Sequence, residues 1–135
     1  MSVPHEFPFN ALQKAIFTRL SSDVSGAAVV DDPEGSSYPM VLIGDLRSEN
    51  TSTSGGSSNS VSVDIDVLSS ASRNEQANGL MDDIATSLTT TEIDVSAGGF
   101  DARWVNLEAE FRREYDGKET IRHGVVRVTW LVSKI

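Results

Sequence analysis

The sequence predicts an α+β domain: a mainly antiparallel sheet of four to five strands with two helices packed on one face. Three observations carry this reading. Val61, Val63, Ile65 and Val67 alternate with Ser62, Asp64 and Asp66, the pattern of a strand with one buried and one wet face. Two other segments place apolar residues at helical spacing. The chain has 135 residues, 39% of them hydrophobic and 23% charged, which suits one core and leaves little room for a second. The expected order is helix, an optional short strand, two strands, helix, two strands, as a single domain over residues 1–135.

Residues 1–9 read as an extended lead-in segment with neither a basic start nor a long apolar stretch. Nowhere do about 18 apolar residues run together, so the chain is expected to avoid membranes and to stay in the cytoplasm unless an assembly carries it out. The first helix is predicted to open at Asn10, whose side chain can cap it while Gln13 reaches back. Leu12, Ala15, Ile16 and Leu20 then share one face, and the helix is expected to end before Gly26. Val29 and Val30 suit a short strand, and Asp32-Pro33-Glu34-Gly35 has the residues of a turn.

Tyr38 to Leu46 is short and rich in strand-forming residues, with Pro39 at the start where a strand tolerates it. Ser48 to Ser60 follows, thirteen residues without an aliphatic or aromatic side chain, read as a long Ser/Gly-rich hairpin loop around Ser54, Gly55, Gly56 and Ser57. After the Val61–Val67 strand, Ser72 and Glu75 form a second capping box, and Ala77, Leu80, Met81, Ile84 and Leu88 make a helical stripe. Beyond Gly98 and Gly99, Val105, Leu107, Ala109 and Phe111 alternate with Asn106, Glu108, Glu110 and Arg112. This alternation puts Trp104 on the polar side with Glu108 and Glu110. Asp116-Gly117 is a hairpin turn. The last strand, about Thr120 to Ser133, is partly apolar on both sides, so it is central or covered by a partner.

Little in this chain points to catalysis. With no Cys and only two His, disulfides, thiolate zinc sites and cysteine nucleophiles are excluded, and imidazole chemistry is scarce. His5 and His123 have no triad or zinc-helix spacing, and His123 reads as a packing or interface residue. Gly55-Gly56 and Gly98-Gly99 lack the spacing and trailing Lys of a phosphate cradle. Asp31-Asp32 and Asp82-Asp83 read as solvated pairs. Asp64, Asp66, Glu108 and Glu110 share a wet face, which is conceivable for a hard cation but is also what any solvated strand face of an acidic protein shows. We therefore expect no cofactor and no metal.

Twenty acids against 11 bases give a formal charge of −9, and only Lys14, Lys118 and Lys134 are lysines. Such a surface disfavours nonspecific binding to a phosphate backbone. Many acids, few lysines and abundant Ser and Thr also match proteins of salt-loving organisms. What remains concerns contact between chains: Phe7 and Phe9 in the lead-in segment, Ser54 to Ser57 in the long loop, and Trp104, His123 and Leu131 on the strands.

Ala11-Leu12-Gln13-Lys14-Ala15-Ile16 in the first helix, Tyr38-Pro39-Met40-Val41-Leu42-Ile43-Gly44 opening the first long strand, and His123-Gly124-Val125-Val126-Arg127-Val128 in the last strand follow a familiar order. In that order and spacing the chain resembles the tail terminator or tail completion (head-tail joining) proteins of long-tailed phages and related archaeal tailed viruses. The family's usual Asp-Gly after the first long strand is replaced here by the Ser/Gly insertion. The resemblance implies a virion structural protein without catalysis, a ring of usually six subunits at the head-proximal end of the tail tube. Its implied partners are further copies of itself, the tail tube protein, the head connector or adaptor, and DNA passing through the lumen without specific binding. Asp64, Asp66, Glu108 and Glu110 are then expected to line that lumen or a subunit contact. The alternatives are another neck component, a connector adaptor or stopper, and from a different class a small cytoplasmic ligand-binding or regulatory domain using the same sheet face. A carboxylate-dependent hydrolase has the least support.

Overall fold

The structure, a computed structural model, describes residues 8–30, 38–50, 58–70 and 74–134. Helix α1 (Phe9–Asp23) leads into β1 (Ala28–Val30), β2 (Met40–Asn50) and β3 (Ser58–Ser70). Helix α2 (Asn74–Thr90) and a single 3-10 turn (Ser96–Gly98) precede β4 (Phe100–Tyr115) and β5 (Thr120–Lys134). The five strands form one sheet in the order β1-β2-β3-β5-β4. All neighbours are antiparallel except β1, which lies parallel to β2 through Ala28↔Met40 to Val30↔Leu42.

Both helices cover one sheet face because their apolar residues recur once per turn. Leu12, Ile16 and Leu20 of α1 and Ala77, Leu80, Ile84 and Leu88 of α2 are buried against Val61, Val63, Ile65 and Val67 of β3 and Val126, Val128, Trp130 and Val132 of β5. Gly124 is where α2 comes closest, since a side chain there would collide with Met81. The last turn of α2 leaves carbonyls without intrahelical partners. Arg19 of α1 serves this end: Nη1 donates to the Ser87 carbonyl of the last turn at 2.8 Å and to that of Thr91, just beyond it, at 3.1 Å, and Nη2 to that of Glu92 at 3.1 Å. Ser87 Oγ donates back to Asp23 Oδ2 at 2.7 Å, so each helix secures the end of the other.

Two expectations are corrected here. The first helix does not open with an Asn10–Gln13 capping box: it starts at Phe9, with Pro8 at the cap and no side-chain hydrogen bond. The Pro8 carbonyl accepts the Leu12 N–H at 2.9 Å. Phe9 packs against the core, so burial sets the helix start. The connection expected over 48–60 is also narrower. Pairing continues through Ser48↔Val61, Glu49↔Ser60 and Asn50↔Asn59, and β5 extends it with Ser58↔Ser133. Backbone pairing needs no apolar side chain, so strands can run on where the hydrophobic pattern stops. Ser54, Gly55, Gly56 and Ser57 lie outside the described residues, as do Phe7 and the cap residue Ser72. Among the described residues no helix is long and apolar enough to cross a membrane.

Candidate functional site

The sheet face away from the helices is a ladder of polar rows, because β3, β5 and β4 place their alternate residues there in register. One row sets Asp64 opposite Arg127 and Arg127 opposite Glu108; the next sets Asp66 opposite Val125 and Val125 opposite Glu110. Asp64 takes Arg127 with both oxygens, Nε to Oδ1 at 2.6 Å and Nη2 to Oδ2 at 3.2 Å. The hydrogen bond and charge of Asp64 hold the guanidinium further toward its charged form. Glu108 approaches the same guanidinium more loosely, at 3.8 Å.

His123 sits in the adjoining cluster, half-buried between two carboxylates. Its Nε2 is 2.7 Å from Asp66 Oδ1 and its Nδ1 is 3.0 Å from Glu114 Oε2. Arg112 closes the group, with Nε on Glu114 Oε1 and Nη2 at 3.4 Å from His123 Nδ1. Partial burial works to raise the Glu114 carboxyl. Its hydrogen bonds with His123 and Arg112 outweigh that and leave it below the ordinary glutamate value. Further along, Ser62 and Thr129 hydroxyls meet at 2.9 Å. The face that reads in sequence as a run of acids is therefore largely paired within the chain. Glu108 and Glu110, with side chains 59% and 66% exposed, are the carboxylates that still project.

Strand β4 is the other unusual surface. Helix α2 sits over β3 and β5 and α1 over β1 and β2, while β4 contacts chiefly β5. Beyond Ala102 its residues are exposed or half-buried on both faces, among them Val105 at 56% and Tyr115 at 70%. A bulge between Trp104 and Asn106 corrects the position expected for Trp104. Trp104 pairs with Trp130, which belongs to the core face, and Val105 is the extra residue that shifts the phase before Asn106↔Thr129. Trp104 therefore lies on the helix side with Leu107, away from Glu108 and Glu110. Its backbone N–H donates to Glu92 Oε2 at 3.0 Å.

The tip of the β4–β5 hairpin is tied back to the sheet. Asp116 Oδ1 accepts the N–H groups of Lys118 and Glu119 at 2.8 and 2.9 Å, and its Oδ2 accepts the Tyr38 hydroxyl at 2.7 Å. These bonds, that from Glu119 first, lower the Asp116 carboxyl, and the bond to Asp116 pushes the Tyr38 phenol up to about 12.

Asp64, Asp66, Glu108, Glu110, His123 and Leu131 thus share the outer face, Trp104 lies at the edge of the opposite one, and Phe9, the first residue of α1, packs against the core. The partners Arg127, Arg112 and Glu114 escape a reading by periodicity. Arg127 is 63 residues from Asp64 and His123 57 from Asp66, so only the strand register unites them. Alternation of Arg127 and Arg112 along their strands, opposite acidic strands, is the available signal.

The comparisons fit this architecture. A component described as "Virion of native gene transfer agent (GTA) particle" superposes with a TM-score of 0.73 at 22% identity, over 93% of this chain and 97% of its own. The bacteriophage SPP1 gp17 protein superposes with a TM-score of 0.54 at 22% identity, over 93% of this chain and 89% of its own. These likenesses show the fold. No curated protein matches the sequence. Residues 14–133, which span α1 to β5, match the family described as Tail completion protein gp17. The chain therefore belongs to the tail completion protein gp17 family, and it is a structural protein of a tailed virion with a role in head-tail joining.

Proposed function

We propose that the chain forms a closed ring, of six copies, on the head-proximal end of the tail tube, where it ends tube growth and receives the head connector. The observation that carries this is the family match over residues 14–133, joined to a long β4 that stands outside the helix layer. A virion component with the same fold in a gene transfer agent supports it. The ring acts by contact and not by catalysis: the polar side chains of the outer face are spent on one another, as in Asp64–Arg127 and Asp66–His123–Glu114. We place that face toward the lumen, with Glu108 and Glu110 projecting so that DNA slides past without being held.

The test is to grow tail tubes from their purified subunit with and without this chain and to image them. Tubes of arrested length, each bearing one ring at one end, are expected. Tubes that grow unchanged while the chain binds isolated connectors would overturn the reading in favour of an adaptor or stopper. Glu108→Gln with Glu110→Gln should weaken the rings and slow DNA ejection through those that form.

A further inference from the structure

The sheet ends in two unequal edges, and both are open. Strand β4 is the last strand on one side, and from Val105 to Tyr115 its outer edge has no strand partner among the described residues. On the other side β1 covers β2 only at Met40–Leu42, and among the described residues the rest of β2 pairs with β3 alone, through Ile43 and Leu46 to Asn50 with a bulge between Ile43 and Leu46. Long open edges are templates for pairing with another chain, and stable proteins normally blunt them.

The side chains that flank these edges are complementary. On the helix side, β4 offers exposed Trp104 and Leu107 with Val105 at the bulge. On that side of β2, α1 leaves two hollows of about 360 and 520 Å³ along the open stretch, lined by exposed Phe17 and by Ile43 and Leu46. Among the described residues, α1 and β2 alone line them. On the outer face, β4 projects Glu108 and Glu110. There β2 projects Arg47, exposed and without an ion-pair partner among the described residues, two residues before exposed Glu49 on the same side.

We propose that β4 of one copy pairs with the Ile43–Asn50 edge of β2 in the next, joining the sheets of successive subunits into one. Trp104, Val105 and Leu107 enter the neighbour's hollows beside Phe17, and Glu108 and Glu110 meet the neighbour's Arg47. Within one sheet β2 and β4 run in opposite directions, so copies related by a ring axis meet antiparallel. The contact joins two different surfaces, which is the type that closes into rings. This inference rests on the ring reading above and names the junction that builds it.

The chain has no Cys, which makes the junction testable by cross-linking. Asp45→Cys and Val105→Cys place single thiols on the two edges, at least about 14 Å apart across three strand spacings within one copy. A bismaleimide shorter than that span is added to the double variant and to each single variant, with tail tubes present, and parallel samples are weighed without the reagent. The double variant should give a covalent ladder reaching the ring mass, and each single variant no more than dimers. A ring mass without a ladder beyond the single variants overturns the edge junction and leaves the ring standing. A monomer on tubes and no ladder removes both.

A charge swap provides the second test. Arg47→Glu alone, or Glu108→Arg with Glu110→Arg, should lower assembly roughly tenfold by like-charge contact. Mixing the two variant chains should restore it, because each then offers the other an opposite charge. A mixture as poor as its components contradicts the junction even if one variant is less stable.

Discussion

The two faces of β3 and β5 are made by alternate residues of the same strands, yet they do different work. On one, Val61, Val63, Ile65, Val67, Val126, Val128 and Trp130 are all but fully buried under the helices. On the other, Asp64, Asp66, Arg127 and His123 are only partly covered and hold one another by hydrogen bonds and charge. The buried face fixes the fold by area removed from water. Ion pairs this exposed add little to stability, and on this face they set charge against charge within the chain. This teaches that a net charge of −9 is a poor guide to any one face.

Trp130 is the largest fully buried side chain, so the buried face is most vulnerable there. Trp130→Ala should cost about 3–5 kcal/mol, read as a lower urea midpoint with an unchanged slope. Trp130→Phe sharpens the point. The indole N–H has no hydrogen-bond partner among the described residues, so Phe should cost well under half as much. On the outer face Asp64→Ala should cost roughly 1 kcal/mol, since Arg127 stays 40% exposed and water can replace the lost partner. A larger loss at Asp64 than at Trp130 would reverse the assignment of the two faces.

The smallest effects are pH-dependent and lie at the margins of the outer face. Tyr38 ionises with more difficulty in the folded chain, at about 12 against an ordinary 10.0. The contribution of Tyr38 to stability should therefore be constant below pH 10 and fall as pH rises toward 12, because only the unfolded chain releases the proton in that window. Tyr38→Phe should remove that alkaline loss in a denaturant series. Glu114 has the opposite sign. Its lowered value means that its contribution is present above the ordinary 4.5 and is lost as pH falls below it, a loss that Glu114→Gln should abolish.

Much of the buried face was legible in the sequence, because burial leaves a periodic trace. The Val61–Val67 alternation and the Leu80–Ile84–Leu88 stripe correspond to β3 and α2. Where structure rests on backbone pairing, the trace disappears: Ser48 to Asn50 and Ser58 to Ser60 are strand without a hydrophobic signal. The bulge at Val105 carries no signal either, and it turns Trp104 to the other side. The outer face was legible as a set of polar positions but not as a set of pairs. Its four acids are visible in order, whereas Asp64–Arg127 and Asp66–His123 depend on register across more than fifty residues. The Arg19 clamp on the end of α2 depends on helix packing in the same way.

On this reading the chain assembles through its two sheet edges, β4 of one copy against the open stretch of β2 in the next. Amide hydrogen exchange in the free chain and in the chain bound to tail tubes tests this most directly. The account predicts that amides on the outer edge of Val105–Tyr115 slow at least several-fold on assembly while those of Val61–Val67, already protected, do not change. Assembled chains in which the β4 edge exchanges as fast as in the free protein would contradict it.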